Sequence, residues 1–182
     1  MRAFFVCRWA HYKGDTAMAS LLTLLYIAAR AARDLYWAVR RPHLFGVRAV
    51  VIAPDDTVLL VRHRAGPHAW VLPGGGIEAG ESASHAAARE ISEEAGVTIN
   101  ATTLHLHGIF SGAHVVHPCD VSVVVARLDT TPPPRPSPWS IEIAAARFVH
   151  PRDFATLDDT VEPGCARRIA EVTQARPIAR TW

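Results

Sequence analysis

Gly75-Gly76-Ile77-Glu78-Ala79-Gly80-Glu81-Ser82-Ala83-Ser84-His85-Ala86-Ala87-Ala88-Arg89-Glu90-Ile91-Ser92-Glu93-Glu94-Ala95-Gly96-Val97 is a glycine-rich loop opening a helix. Alanine-rich composition predicts the helix over residues 82–95, and Gly96 stands where a C-terminal stop belongs. On that helix Glu90, Glu93 and Glu94 fall at i, i+3 and i+4, so three carboxylates share one face. Like charges so placed repel, and near a helix C-terminus they also oppose the macrodipole. The arrangement costs stability unless something positive sits against it. A hard divalent cation such as Mg²⁺ is the natural counter-charge, because it prefers carboxylate oxygens, keeps several waters and pairs with substrate phosphates. Arg89 beside the cluster and Glu81, eight residues earlier, are spaced to pair and orient the acidic face. The competing reading is a solvated acidic helix.

Outward from this run, residues 45–53 and 57–64 read as strands joined by a turn at Pro54-Asp55-Asp56, with a third short strand over 70–72. Pro73-Gly74-Gly75-Gly76 forces a tight loop into the helix. Strands are expected again over 104–110, 121–128 and 143–149, and a closing helix over 161–175. Residues 130–138 hold five prolines and read as an exposed, stiff connection, since too little chain follows for a second domain. No internal repeat is present.

The chain has 182 residues, 49% of them hydrophobic and 20% charged, enough for one ordinary domain with a real core plus an extension. Its net charge of +2 gives no argument for nucleic acid as a partner. The distribution is uneven: residues 1–48 carry eight basic groups against Asp15 and Asp34, a balance of +6 that leaves −4 for the rest. Cys7, Cys119 and Cys165 form no CxxC pair, so neither a disulfide framework nor a cysteine zinc site is indicated, and a reducing cytoplasm is the expected location. No secretory signal layout is visible, and the longest uncharged stretch of the first half, 16–29, is shorter than the roughly 20 residues a membrane span needs.

Residues 17–41 have a helical pattern, with Leu21, Leu25, Ala28, Ala32, Leu35 and Val39 on one stripe and arginines over much of the remaining surface, ended by Pro42. Residues 1–41 are therefore expected to form an N-terminal extension with an amphipathic helix, ahead of a domain over 42–182. The stripe must be covered, and its own domain or a second copy of the chain, giving a homodimer, ranks ahead of peripheral contact of 17–41 with an anionic membrane.

The quoted run resembles the signature of the Nudix hydrolases: Gly, five residues, Glu, seven residues, Arg-Glu, an aliphatic residue, any residue, Glu-Glu, any residue, Gly and an aliphatic residue. Every specified position matches, from Gly75 to Val97. Average residue frequencies would produce such a string by chance about one time in 10⁷. The resemblance implies an α/β fold of the mixed α+β kind, an α/β/α sandwich around a mixed sheet. It also implies that Glu90, Glu93 and Glu94 bind one or more Mg²⁺ or Mn²⁺ ions, helped by a backbone carbonyl at Gly74 or Gly75. Arg89 and Glu81 would then orient those ligands. The implied reaction is attack of water on a phosphorus of a small-molecule nucleoside diphosphate linked to another moiety, with no covalent nucleophile. A nucleoside triphosphate, an ADP-ribose-like compound and a nucleotide sugar all fit. A Nudix fold acting as a nucleotide sensor or interaction module without turnover is the alternative, disfavoured by the intact glutamates.

Glu93 in the helix and Glu142, just after the proline-rich connection, are both candidates for the general base. Arg62 and Arg64, at the end of the second strand, are candidates for holding phosphate, since alternation would aim both to one side. His105 and His107 alternate on a strand, and His114 and His117 are spaced like a zinc pair but lack the rest of a tetrahedral shell. Trp70 is expected to pack under the glycine loop.

Overall fold

The computed structural model describes residues 44–64, 68–111, 119–137, 140, 142–179 and 181–182, together with Ala28 and Ala32. Ala28 and Ala32 are helical and exposed. The rest of the amphipathic segment 17–41, and with it the question of what covers its stripe, lies outside the described residues, as do His114 and His117.

Strand β1 (Leu44–Ile52) runs parallel to β5 (Cys119–Arg127) along its whole length, from Leu44 opposite Cys119 to Ile52 opposite Arg127. Both are rich in valine, and both are buried over most of their length, as a central parallel pair covered on two faces should be. β4 (His105–Ser111) adds antiparallel to the outer edge of β5. β2 (Val58–His63) follows β1 through the expected turn, where Asp56 takes a positive φ of 61°. Its ladder with β1 has a single register pair, Ile52 with Val58, and it then pairs with β6 (Ile143–Val149) and β3 (Ala69–Val71). Past that contact, the glycine loop lies along the edge of β1 instead: Val47 N–H donates to Gly75 O at 2.9 Å, Ala49 N–H to Pro73 O at 2.9 Å, and Ile77 N–H to Phe45 O at 3.0 Å. The divergence of β2 from β1 thus makes room for the loop that leads into the acidic helix.

That helix, α1 (Ala83–Ala95), starts and stops where the sequence places it. The Ser82 side chain accepts from His85 N–H, and Gly96 closes the last turn at φ 65° with its N–H on Ser92 O. Arg135, in the proline-rich connection, adds a further cap by donating its N–H to Ala95 O at 2.7 Å. Ala86, Ala87, Ile91 and Ala95 of α1 pack on Val47, Ala49, Val51, Leu59 and Val61 of the sheet. The opposite sheet face, with Val50, Ile52, Leu60 and Trp70, packs on Cys165 and Ile169 of the second helix. The result is the mixed α/β/α sandwich expected from the resemblance.

The second helix is shorter than the sequence pattern suggests. α2 spans Pro163–Thr173, because Thr160–Val161 form a two-residue strand, β7, parallel to β3. Two residues are too few to show a period. The helix start is nevertheless written in Glu162-Pro163: Pro163 occupies the first turn, and the Glu162 carboxylate accepts from the N–H groups of Gly164 and Cys165. Cys119 and Cys165 are buried free thiols, and burial pushes Cys165 up to about 12. No helix among the described residues is long and apolar enough to cross a membrane.

Candidate active site

The carboxylates of α1 project beside the glycine loop, and the loop is shaped around them. Gly74 has φ 147°, and a Cβ there would collide with the Val47 carbonyl beneath it. A Cβ on Gly75 would collide with the Glu90 carboxylate. Only glycines let this loop lie between β1 and the acidic face.

Glu94 is 5% exposed and accepts the Gly74 N–H at 2.9 Å through Oε2. Burial pushes its carboxyl up to about 8; Glu90 and Glu142 add to the rise, while the Gly74 N–H and the nearby Arg48 oppose it. Arg48 directs Nη1 to the carbonyls of Leu72 and Gly74, at 2.8 and 3.1 Å, and so holds the loop in place from β1. Glu90 is also raised, by burial first, against the opposing hydrogen bond from Arg89. Glu93 is largely exposed, with Oε2 3.9 Å from Arg89 Nη1.

Arg89 and Glu81 form the expected pair. Arg89 Nη2 meets Glu81 Oε2 at 2.9 Å and Gly76 O at 3.0 Å, while Nη1 meets Glu90 Oε1 at 2.8 Å. The guanidinium therefore ties loop, Glu81 and Glu90 into one unit, and its hydrogen bond holds the Glu81 carboxyl below its ordinary value.

Glu142 joins this group from a distant part of the chain. β6 pairs antiparallel with β2, Ile143 lies opposite His63, and Arg64 N–H donates to Glu142 O at 2.8 Å. Glu142 is consequently close enough to raise both Glu90 and Glu94. The structure brings Glu81, Arg89, Glu90, Glu93, Glu94, Gly74 and Glu142 together.

The two arginines, which alternation would aim to one side, have partners outside the carboxylate group. A register shift falls between Arg62 and His63 in the β2–β6 pairing. Arg62 Nη1 is held at 2.7 Å by both Asp158 and Asp159, and its guanidinium lies over the Trp70 ring, on the α2 side of the sheet. Arg64 Nε donates to Ser140 O at 2.8 Å, tying the strand end to the Glu142 loop. The residue that reaches the carboxylates is His63: its Nδ1 is 3.6 Å from Glu142 Oε1 and its Nε2 is 4.0 Å from Glu94 Oε1. The signal for it was available, because Leu59 and Val61 line the α1 face of β2 and His63 continues that alternation. Trp70 is fully buried, in the cluster on the α2 side of the sheet, and donates its indole N–H to Asp158 at 3.1 Å. His107 turns to Glu171 at 3.2 Å and away from the acidic helix face, and His105 is exposed.

Residues 42–171 match the family described as NUDIX domain. The chain belongs to that family. Among solved structures it is similar to a MutT NUDIX hydrolase from Burkholderia pseudomallei, with 21% identity, 72% of this chain and 99% of that one covered, and a TM-score of 0.60. It is also similar to the NUDIX domain of Shewanella oneidensis NrtR complexed with ADP ribose, with 18% identity, coverage of 74% and 88%, and a TM-score of 0.61. At these identities the likeness is one of fold. Over 43 residues the chain is 54% identical to diphosphoinositol polyphosphate phosphohydrolase 2 of Rattus norvegicus, a match spanning 24% of each protein.

Proposed function

We propose that this protein is a divalent-metal-dependent pyrophosphohydrolase that cleaves the diphosphate linkage of a small-molecule nucleoside diphosphate derivative by attack of water at phosphorus. The observation that carries this reading is the convergence of Glu90, Glu93, Glu94 and Glu142 beside one glycine loop, although they come from two distant segments.

The donor set fits Mg²⁺ or Mn²⁺: carboxylate oxygens dominate it, and two of the carboxyls carry raised values from burial and from neighbouring carboxylates, which a cation would offset. Glu90, Glu93 and Glu94 would hold the ion, with the Gly74 carbonyl as a further donor. A bound divalent ion supplies neutralisation of the diphosphate charge and Lewis acidity at the phosphorus attacked. Arg89 and Glu81 fix where the carboxylates stand. Glu142 accepts a proton from the attacking water, on a loop that Arg64 anchors, and Glu93 is the candidate for that role within the helix. Arg62, committed to two aspartates, supports the sheet end next to the site, whereas Arg64 stays adjacent to it.

On this reading 42–182 carries the chemistry, and 1–41 is an extension ahead of it. The test is a panel of nucleoside triphosphates, ADP-ribose, nucleotide sugars and a diphosphoinositol polyphosphate, with Mg²⁺ or Mn²⁺ and with chelator. Metal-dependent release of phosphate, pyrophosphate or a nucleoside monophosphate is expected from at least one. Binding of one of these compounds without any turnover would make the protein a sensor.

A further inference from the structure

His63 adds a nitrogen donor to a site whose other candidate donors are oxygens. One ligating atom each from His63, Glu94 and Glu142 lies within 4.8 Å of the other two. The separations from His63 to Glu142 and to Glu94, 3.6 and 4.0 Å, are longer than hydrogen bonds. They start from different ring nitrogens, of which one ion takes a single one, so the shared site rests on the one-atom-each cluster within 4.8 Å; donors bonded at about 2.0–2.2 Å stand at most about 4.4 Å apart, a spacing that a small turn of the imidazole reaches. Glu94 is set up for this: Oε2 is taken by the Gly74 N–H, and Oε1 is the atom nearest His63. The register shift at Arg62 and His63, and the pairing of His63 with Ile143, set the imidazole on the same side as Glu142.

We infer that His63 is a metal ligand, acting with Glu94 and with the Oε1 of Glu142, whose other oxygen is left for the proton of the attacking water, and that the imidazole nitrogen biases the site from Mg²⁺ toward a first-row transition ion such as Mn²⁺. This rests on the metal-dependent reading above. Imidazole adds affinity for transition ions, whereas Mg²⁺ favours oxygen donors and its own waters. The same ligand therefore strengthens one ion more than the other.

The experiment uses the full chain and Mn²⁺ alone as the probe, read by pulsed electron paramagnetic resonance, with affinities for Mn²⁺ and, by competition, for Mg²⁺. The wild-type spectrum should show nitrogen-14 coupling from a directly bound imidazole. His63→Gln should lose that coupling, and its Mn²⁺ affinity should fall about tenfold or more, as expected when a metal site loses a supporting group. Its Mg²⁺ affinity should fall less than about threefold. Bound Mn²⁺ without nitrogen coupling in the wild type would overturn the assignment of His63 while leaving the carboxylate site standing, and this result does not depend on the variant folding. Absence of any Mn²⁺ or Mg²⁺ binding by the wild type would overturn both this inference and the metal-dependent function.

Discussion

Glu171 and Glu94 are both 5% exposed, and they lie on opposite sides of the sheet with very different company. Glu171, on α2, meets Arg168 at 2.9 Å, the Ala179 N–H at 2.8 Å and His107 at 3.2 Å. Arg168 in turn lies over the Phe110 ring at 3.9 Å and donates to the carbonyls of Ala179 and Thr181, which fastens the C-terminal segment to β4 and α2. There the charge is answered within the protein. Glu94 has one backbone N–H and, at 4.0 Å, His63, while Arg48 beside it is turned to loop carbonyls. A buried acid whose counter-charge is incomplete, crowded by other carboxylates, fits the proposed metal. A buried acid that is fully paired is architecture.

Substitutions should separate the two regions sharply. Glu94→Gln keeps size and the bond to Gly74 but removes a ligand charge, so kcat on the best substrate should fall by roughly 10³, equivalent to several kcal/mol of metal-derived stabilisation. Circular dichroism should show an intact fold. Glu142→Gln should lower kcat by at least about 10² with little change in KM, as loss of a general base does. A loss below about threefold would instead move that role to Glu93.

On the other side, Glu171→Gln leaves Arg168 buried beside a neutral partner. Denaturant unfolding should show a loss of about 3 kcal/mol, while kcat changes less than about threefold in protein that remains folded.

A further effect is expected from pH. Glu94 ionises near 8 in the folded chain against an ordinary value of 4.5, and Glu90 is shifted in the same direction. The folded state therefore favours the protonated acids. Their contribution is fully present below about pH 4.5 and is lost as pH rises toward 8. Metal-free protein should melt progressively lower across that window, and Glu94→Gln should flatten the trend. A wild-type melting temperature that rises from pH 5 to pH 8 would contradict this.

Much of this was legible from residue order. The helix stop at Gly96, the pairing of Arg89 with Glu81 and the shared face of Glu90, Glu93 and Glu94 are short-range consequences of helix geometry, so spacing alone reveals them. β7 escaped because a two-residue strand has no period, and its existence depends on Trp70, about 90 residues earlier in the chain. The division of labour between Arg62 and His63 escaped for a related reason. Alternation separates His63 from the two arginines, but which side of β2 meets the acidic helix is decided only when Leu59 and Val61 pack on α1 and Leu60 packs on the α2 side. Asp158 and Asp159, which claim Arg62, likewise arrive through tertiary packing.

Whether a divalent cation completes the acidic face is decided by thermal unfolding of the metal-free full chain at pH 8, with and without Mg²⁺ or Mn²⁺. An ion at about 100 times its Kd adds roughly 2.7 kcal/mol of stability. For a chain of this size that raises the wild-type melting temperature by about 5–10 °C. Glu94→Gln should show little or none of that rise, whereas Glu171→Gln, starting lower, should show all of it. A wild-type melting temperature that does not respond to millimolar Mg²⁺ or Mn²⁺ would mean that no divalent cation completes the acidic face.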